Sequence, residues 1–74
     1  MNRYRIYEKI KYRDGSEDIN LVSTHKSIIQ GISALQDAPI RNAEIAAMLY
    51  RIRDEYTIYL WDRLDTQIIA SRQL

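Results

Sequence analysis

Polar and apolar side chains alternate along residues 3–13. Even positions are apolar except for Glu8, and odd positions are cationic except for Tyr7. Successive side chains of a β-strand point to opposite sides of a sheet. The pattern therefore predicts a strand with one buried face, which Glu8 alone interrupts, and one basic face.

A tight turn and a second strand are predicted next. Asp14 and Gly15 favour the positive φ angles that a hairpin turn needs. Residues 17–22 resume extended character, with Ile19 and Leu21 on one side of the strand. The first third of the chain is thus expected to form a β-hairpin.

An amphipathic helix is predicted after the hairpin. Ser23 and Thr24 offer side-chain oxygens to its N-terminus, and Pro39 lies beyond its end. Gly31 lowers the intrinsic helix propensity, so packing against the hairpin must supply much of the stability. The expected apolar stripe has the spacing i, i+1, i+4 and i+7 and consists of Ile28, Ile29, Ile32 and Leu35.

Residues 43–53 are open to two interpretations. Apolar residues at i, i+3, i+4 and i+7, three alanines and the capping residue Asn42 favour a second helix. A strand over 45–52 is the alternative, because the segment is short and Tyr50 and Ile52 lead into a stretch of strand-forming residues.

Two further strands are predicted near the C-terminus. Residues 56–61 are almost all strand formers, 62–65 are typical of a turn, and 66–73 alternate loosely. The predicted order is β-β-α-α-β-β, or β-β-α-β-β-β in the alternative. Either order gives one α+β domain over residues 1–74, an antiparallel sheet of four or five strands with one or two helices on one face.

The chain has 74 residues and a mass of 8.8 kDa, which fits a single domain. A domain of this size buries only about 60–65% of the surface that its unfolded chain would expose. The absence of cysteine excludes disulfides and thiolate zinc sites, and His25 alone cannot build a histidine-rich metal site. We expect no cofactor and no metal, and self-association is the remaining source of added stability.

Charge is distributed unevenly, although the net charge is only +1. Residues 1–13 hold five basic side chains and one acidic one, whereas residues 14–55 hold four basic and seven acidic ones. Such asymmetry is typical of a surface that meets a partner. No apolar run has the length of a signal peptide or of a bilayer span, so a cytoplasmic (or, in a eukaryote, nuclear) protein with no membrane partner is expected.

The basic face of the first strand is the candidate binding surface, because helices on one side of the sheet would leave it open. The rings at positions 59 and 61 share one parity and would stand beside it. The candidate residues are Arg3, Arg5, Tyr7, Lys9, Lys11, Arg13, Tyr59 and Trp61. Aromatic side chains anchor protein interfaces and cations steer acidic partners. We expect a small accessory or regulatory protein that binds a protein partner or itself, as a homodimer.

Single-stranded nucleic acid is the alternative partner for the same residues, since bases stack on rings and phosphates meet cations. A pI near 8.0 argues against it, because nucleic-acid-binding domains typically exceed about 9. Catalysis has no support, since the carboxylates cluster in predicted turns and helix ends and nothing selects a serine for His25. We expect neither an enzymatic activity nor a small-molecule substrate.

Overall fold

The computed structural model describes residues 2–38 and 53–73, which form four strands and one helix. The bounds are Tyr4–Tyr12 for β1, Glu17–His25 for β2, Ile28–Asp37 for α1, Arg53–Asp62 for β3 and Gln67–Gln73 for β4. The α+β class, the antiparallel sheet and the helix on one face are as predicted.

The sheet has the strand order β2-β1-β3-β4, and every neighbouring pair is antiparallel. β1 and β3 form the centre. β2 and β3 run in the same direction on either side of β1, so the chain passes over β1 as it goes from β2 through α1 to β3. This topology places the two most regular alternating segments side by side in the middle of the sheet.

β3 begins earlier than the sequence indicates. The strand was expected over 56–61, and residue 53 was assigned to a second helix, but Arg53 is the first residue of β3 and pairs with Tyr12. Pairing along the whole of β1 extends β3 through residues of low strand propensity. The rest of the ambiguous segment, 43–52, lies outside the described residues.

β2 also runs further than predicted, and this changes the cap of the helix. Ser23 and Thr24 were expected to cap α1, but both pair with β1. The N-cap is Ser27, whose hydroxyl oxygen accepts a hydrogen bond from the Gln30 backbone N–H at 3.2 Å. The register shifts by one residue at Val22 of β2, opposite Ile6 and Tyr7, and the pairing then continues to His25.

The hydrophobic core lies between the sheet and α1. It uses the even positions of β1 and β3, which face each other across the central ladder, together with residues of the helix. Its buried members are Ile6, Ile10, Tyr12, Leu35, Ala38, Tyr56, Ile58 and Leu60. The predicted buried face of β1 is therefore observed.

Of the predicted stripe, the helix buries only Leu35. Gly31 and Leu35 are buried, whereas Ile29 is 78% exposed and the isoleucines at 28 and 32 are also exposed. A Cβ atom at Gly31 would lie 2.8 Å from Cδ1 of Leu60, so the helix approaches the sheet through its small residues. Close approach of the backbone thus decides which face packs, in preference to the larger isoleucines.

Glu8, the polar interruption of the predicted buried face, is itself 2% exposed. Its carboxylate accepts hydrogen bonds from the Tyr56 hydroxyl at 3.0 Å and from the Asn20 amide at 3.2 Å. A buried carboxylate is tolerated only when such partners replace its hydration. Glu8 therefore joins β1 to both of its neighbouring strands from within the core.

Candidate functional site

The side of the sheet that faces away from α1 carries the candidate residues of the central strands. We call this surface the open sheet face. β1 contributes its odd positions, and β3 contributes the odd positions that pair with them: Arg5 with Trp61, Tyr7 with Tyr59, Lys9 with Thr57, and Lys11 with Glu55. Six of the eight predicted site residues therefore lie in one continuous ladder.

The two tyrosines at the middle of the open sheet face contact each other. The ring centroids of Tyr7 and Tyr59 lie 5.7 Å apart with 29° between their planes, an offset stack. Burial raises the pKa of Tyr59, and the neighbouring Tyr7 raises it further. The phenol of Tyr59 is therefore neutral at physiological pH.

Aliphatic side chains flank these rings on both edge strands. Ile19 and Leu21 of β2 are 56% and 54% exposed, and Ile68 of β4 is 56% exposed. With the aromatic ladder, Ile19 and Ile68 line a shallow concavity of about 530 Å³. The surface is thus a strip of rings between two apolar margins.

Sequence reasoning missed the two aliphatic residues of β2, Ile19 and Leu21, because of the turn between β1 and β2. A two-residue turn at Asp14 and Gly15 would have set Ile19 against the core. The observed turn has three residues, with Gly15 at a φ of +89° and with the N–H of Tyr12 bonded to the carbonyl of Ser16. Ile19 consequently pairs with Lys9. A shift of one residue in register exchanges the two faces of a strand, and here it exposes the apolar side.

Two of the three cations of the open sheet face, Lys9 and Arg5, already have local partners. The ammonium of Lys9 lies 3.7 Å from the carboxylate of Glu17, and the guanidinium of Arg5 donates to the Tyr7 hydroxyl at 3.3 Å. Lys11 is in register with Glu17 on one side and with Glu55 on the other. Three cations and two carboxylates make the face nearly balanced in charge.

Arg3 lies apart from the open sheet face. Its guanidinium donates to both carboxylate oxygens of Asp62, at 2.8 and 2.9 Å, and to Asp65 at 3.2 Å. Asp62 is 3% exposed and pairs with Tyr4 on the core side of the ladder. The Arg3 bond lowers the pKa of Asp62, and the backbone N–H groups of Leu64 and Asp65 lower it as well. This bidentate pair ties the start of β1 to the β3–β4 turn.

Arg13, the remaining predicted residue, lies in the turn between β1 and β2 and is exposed. It extends the row of cations past the end of the central ladder. The structure therefore brings together Arg5, Tyr7, Lys9, Lys11, Tyr59 and Trp61, and leaves Arg3 and Arg13 outside that group.

A serine and the only histidine also meet, on β2. Ser23 Oγ lies 2.8 Å from His25 Nε2. Acyl transfer needs a third group that orients the imidazole. Among the described residues, no such bond to His25 is present. Within the same ranges, no three acidic or histidine side chains are grouped to hold a metal ion.

No family model, curated protein or solved structure matches this chain. Its function must therefore be inferred from its own geometry. The described ranges contain no helix with the length and apolar character required to span a membrane.

Proposed function

We propose that this protein is a small, non-catalytic binding protein, with an accessory or regulatory role, whose open sheet face is a protein–protein interface. The observation that carries the proposal is the exposure of Ile19, Leu21 and Ile68 beside a stacked pair of tyrosines and a tryptophan. The proposal keeps the cytoplasmic location that the sequence favours.

The composition of the open sheet face supports a protein partner. Tyrosine and tryptophan carry much of the energy at the centres of interfaces, where neighbouring residues exclude water from them. Tyr7, Tyr59 and Trp61 occupy the two central strands, and the exposed aliphatic residues surround them. This arrangement has the apolar centre of an interface.

Its electrostatics argue against the alternative, single-stranded nucleic acid. Phosphate binding needs a surplus of cations, but Lys9 and Lys11 lie beside Glu17 and Glu55. Bases also need free ring faces, whereas Tyr7 and Tyr59 already stack on each other. A partner that offers apolar surface and both signs of charge fits this face better than a polyanion.

A matched pair of leucine substitutions tests the proposal. Leu21 lies on the open sheet face, whereas Leu64, 72% exposed, lies in the β3–β4 turn. Leu21→Lys and Trp61→Ala should reduce self-association or the capture of a copurifying protein, while Leu64→Lys should leave both unchanged. Light scattering with ultraviolet absorbance, on protein prepared without nuclease, measures mass and nucleic-acid content together.

Two results would contradict the proposal. Equal association of all three variants and the wild type would mean that the open sheet face is not the interface. A particle rich in nucleic acid that dissociates as salt rises would establish the alternative, because each neutralised phosphate contributes a slope of about 0.7–0.9 in log affinity against log salt.

A further inference from the structure

The register of the central ladder makes the open sheet face complementary to itself. Three of its four rungs join two side chains that attract each other: a cation and an indole, two phenols, and a cation and a carboxylate. These rungs are Arg5 with Trp61, Tyr7 with Tyr59, and Lys11 with Glu55. In each, one member belongs to β1 and the other to β3.

A two-fold axis parallel to the strands, midway between β1 and β3, preserves these matches. Rotation about it lays β1 of one copy over β3 of another and keeps each residue at its own level along the strands. Lys11 then meets the partner's Glu55, and Arg5 meets the partner's Trp61. Because a two-fold interface uses the same patch twice, each of these contacts forms twice.

The charged rung, Lys11 with Glu55, has groups that are available to bind a second copy. Glu55 accepts hydrogen bonds from Gln73 at 2.8 Å and from Thr57 at 3.5 Å, and both reach Oε1. Among the described residues, no bond reaches Oε2 and Lys11 forms no ion pair. An intermolecular pair between Lys11 and the partner's Glu55 therefore breaks none of the bonds seen within one chain.

The area agrees with a weak, concentration-dependent dimer. Four strands about 4.8 Å apart and about seven residues long, at about 3.3 Å per residue, give a face of about 19 by 23 Å. This face covers about 440 Å², roughly half of the 800 Å² or so that each partner of a stable interface buries, and this size is typical of weak association.

We infer that the partner that binds the open sheet face is a second copy of this chain, related by this two-fold axis. The inference rests on the proposed function and specifies its partner. The dimer has four layers, with the two sheets inside and the two helices outside. The apolar margins at Leu21 and Ile68 are covered at the edges of the shared interface.

Reversing the charge of either Lys11 or Glu55 tests the proposed two-fold axis. Lys11→Glu places two carboxylates opposite each other, and Glu55→Lys places two ammonium groups opposite each other. Sedimentation equilibrium between about 1 μM and 1 mM should show each variant associating about 5–30-fold more weakly than the wild type. An equimolar mixture of the two variants should recover the wild-type affinity, because every charged contact between unlike copies is then attractive.

Recovery in the mixture excludes an effect within one chain, because mixing changes no intramolecular contact. Circular dichroism of each variant checks that it folds. Weakened variants that the mixture does not rescue would overturn the proposed axis. A wild type that stays at 8.8 kDa over the whole concentration range would overturn the second copy as partner.

The same experiments distinguish failure of the proposed function from failure of the second copy as partner. If the wild type is monomeric but Leu21→Lys releases a different copurifying protein, the open sheet face is still an interface and only the identity of the partner changes. If the wild type dimerises and Leu21→Lys and Trp61→Ala both dimerise equally well, the proposed function and the axis fail together.

Discussion

The two faces of the sheet differ in whether their polar groups are buried or exposed. On the face beneath α1, buried carboxylates have partners from distant parts of the chain: Glu8 binds Tyr56 and Asn20, and Asp62 binds Arg3. On the open sheet face, the polar contacts are exposed to solvent, as between Lys9 and Glu17, and Leu21 and other aliphatic side chains are exposed as well. Stability is therefore concentrated on one face, and the other keeps apolar surface for a partner.

Arg72 is a further polar side chain on the face beneath α1 that binds within the chain. It extends from β4 to the end of α1, where its guanidinium donates to the carbonyl oxygens of Gln36 and Ala38. Carbonyl groups in the last turn of a helix lack partners within the helix, and a cation there also complements the helix dipole. A polar side chain of β4 thus fixes the helix without adding to the open sheet face.

Removal of the buried carboxylate is expected to have the largest effect. Glu8→Ala leaves a cavity and removes the acceptor that the Tyr56 hydroxyl and the Asn20 amide use, so it should lower the free energy of unfolding by about 3 kcal/mol. Urea denaturation measures this change. Lys9→Ala, on the next residue and the opposite face, removes only an exposed ion pair and should cost less than about 1 kcal/mol. Similar losses of unfolding free energy in the two variants would contradict the claim that stability is concentrated on the face beneath α1.

A methyl group at the helix–sheet contact should have an intermediate effect. Gly31→Ala raises helix propensity by about 1 kcal/mol but forces a Cβ against Leu60, which is fully buried. Overpacking typically costs about 1–3 kcal/mol, so we expect a net loss of about 1 kcal/mol in thermal or urea unfolding. Ser33→Ala, at an exposed position of α1, is the control and should not destabilise the protein. A more stable Gly31→Ala variant would show that the helix does not depend on this close approach.

The smallest expected effect is a dependence of stability on acid. The pKa of Asp62 is lowered in the folded protein, chiefly by its hydrogen bond with Arg3. Its contribution to stability is therefore present above the ordinary aspartate pKa of about 3.9 and is lost as the pH falls through the lower, folded value. The free energy of unfolding, measured for the wild type and for Asp62→Asn at a series of pH values, should become the same in the two proteins as the pH falls below about 4. Curves that stay parallel down to acid pH would show that this pair adds nothing to stability.

Local patterns predicted the strands well because alternation depends only on neighbouring residues. The parity of β1 identified its buried face, and 56–61 fell within β3. The face of β2 was not predictable in the same way, since it depends on whether the turn has two or three residues. The packed stripe of α1 depended on Leu60, which is distant in sequence, and so did the role of Glu8, whose partner Tyr56 lies 48 positions away.

The candidate site was predicted in part for the same reason. Tyr7, Tyr59 and Trp61 were found because parity alone places them on one side of their strands. Arg3 has the same parity as the cations of β1, but it precedes the strand and Asp62 holds its guanidinium elsewhere. Ile19 and Leu21 were missed because only the register of the turn exposes them. The positions of Arg3, Ile19 and Leu21 depend instead on pairing within the folded sheet, which the linear pattern does not contain.

Trp61, the only tryptophan of the chain, offers the most direct test of the second copy as partner. Its indole lies on the open sheet face, so its fluorescence reports whether that face is covered. On dilution of the wild type and of Leu64→Lys, the emission should shift to longer wavelength as the dimer dissociates and water reaches the ring. Leu21→Lys should show the dissociated spectrum at every concentration. An emission maximum that is the same at all concentrations of the wild type would contradict a dimer formed through the open sheet face.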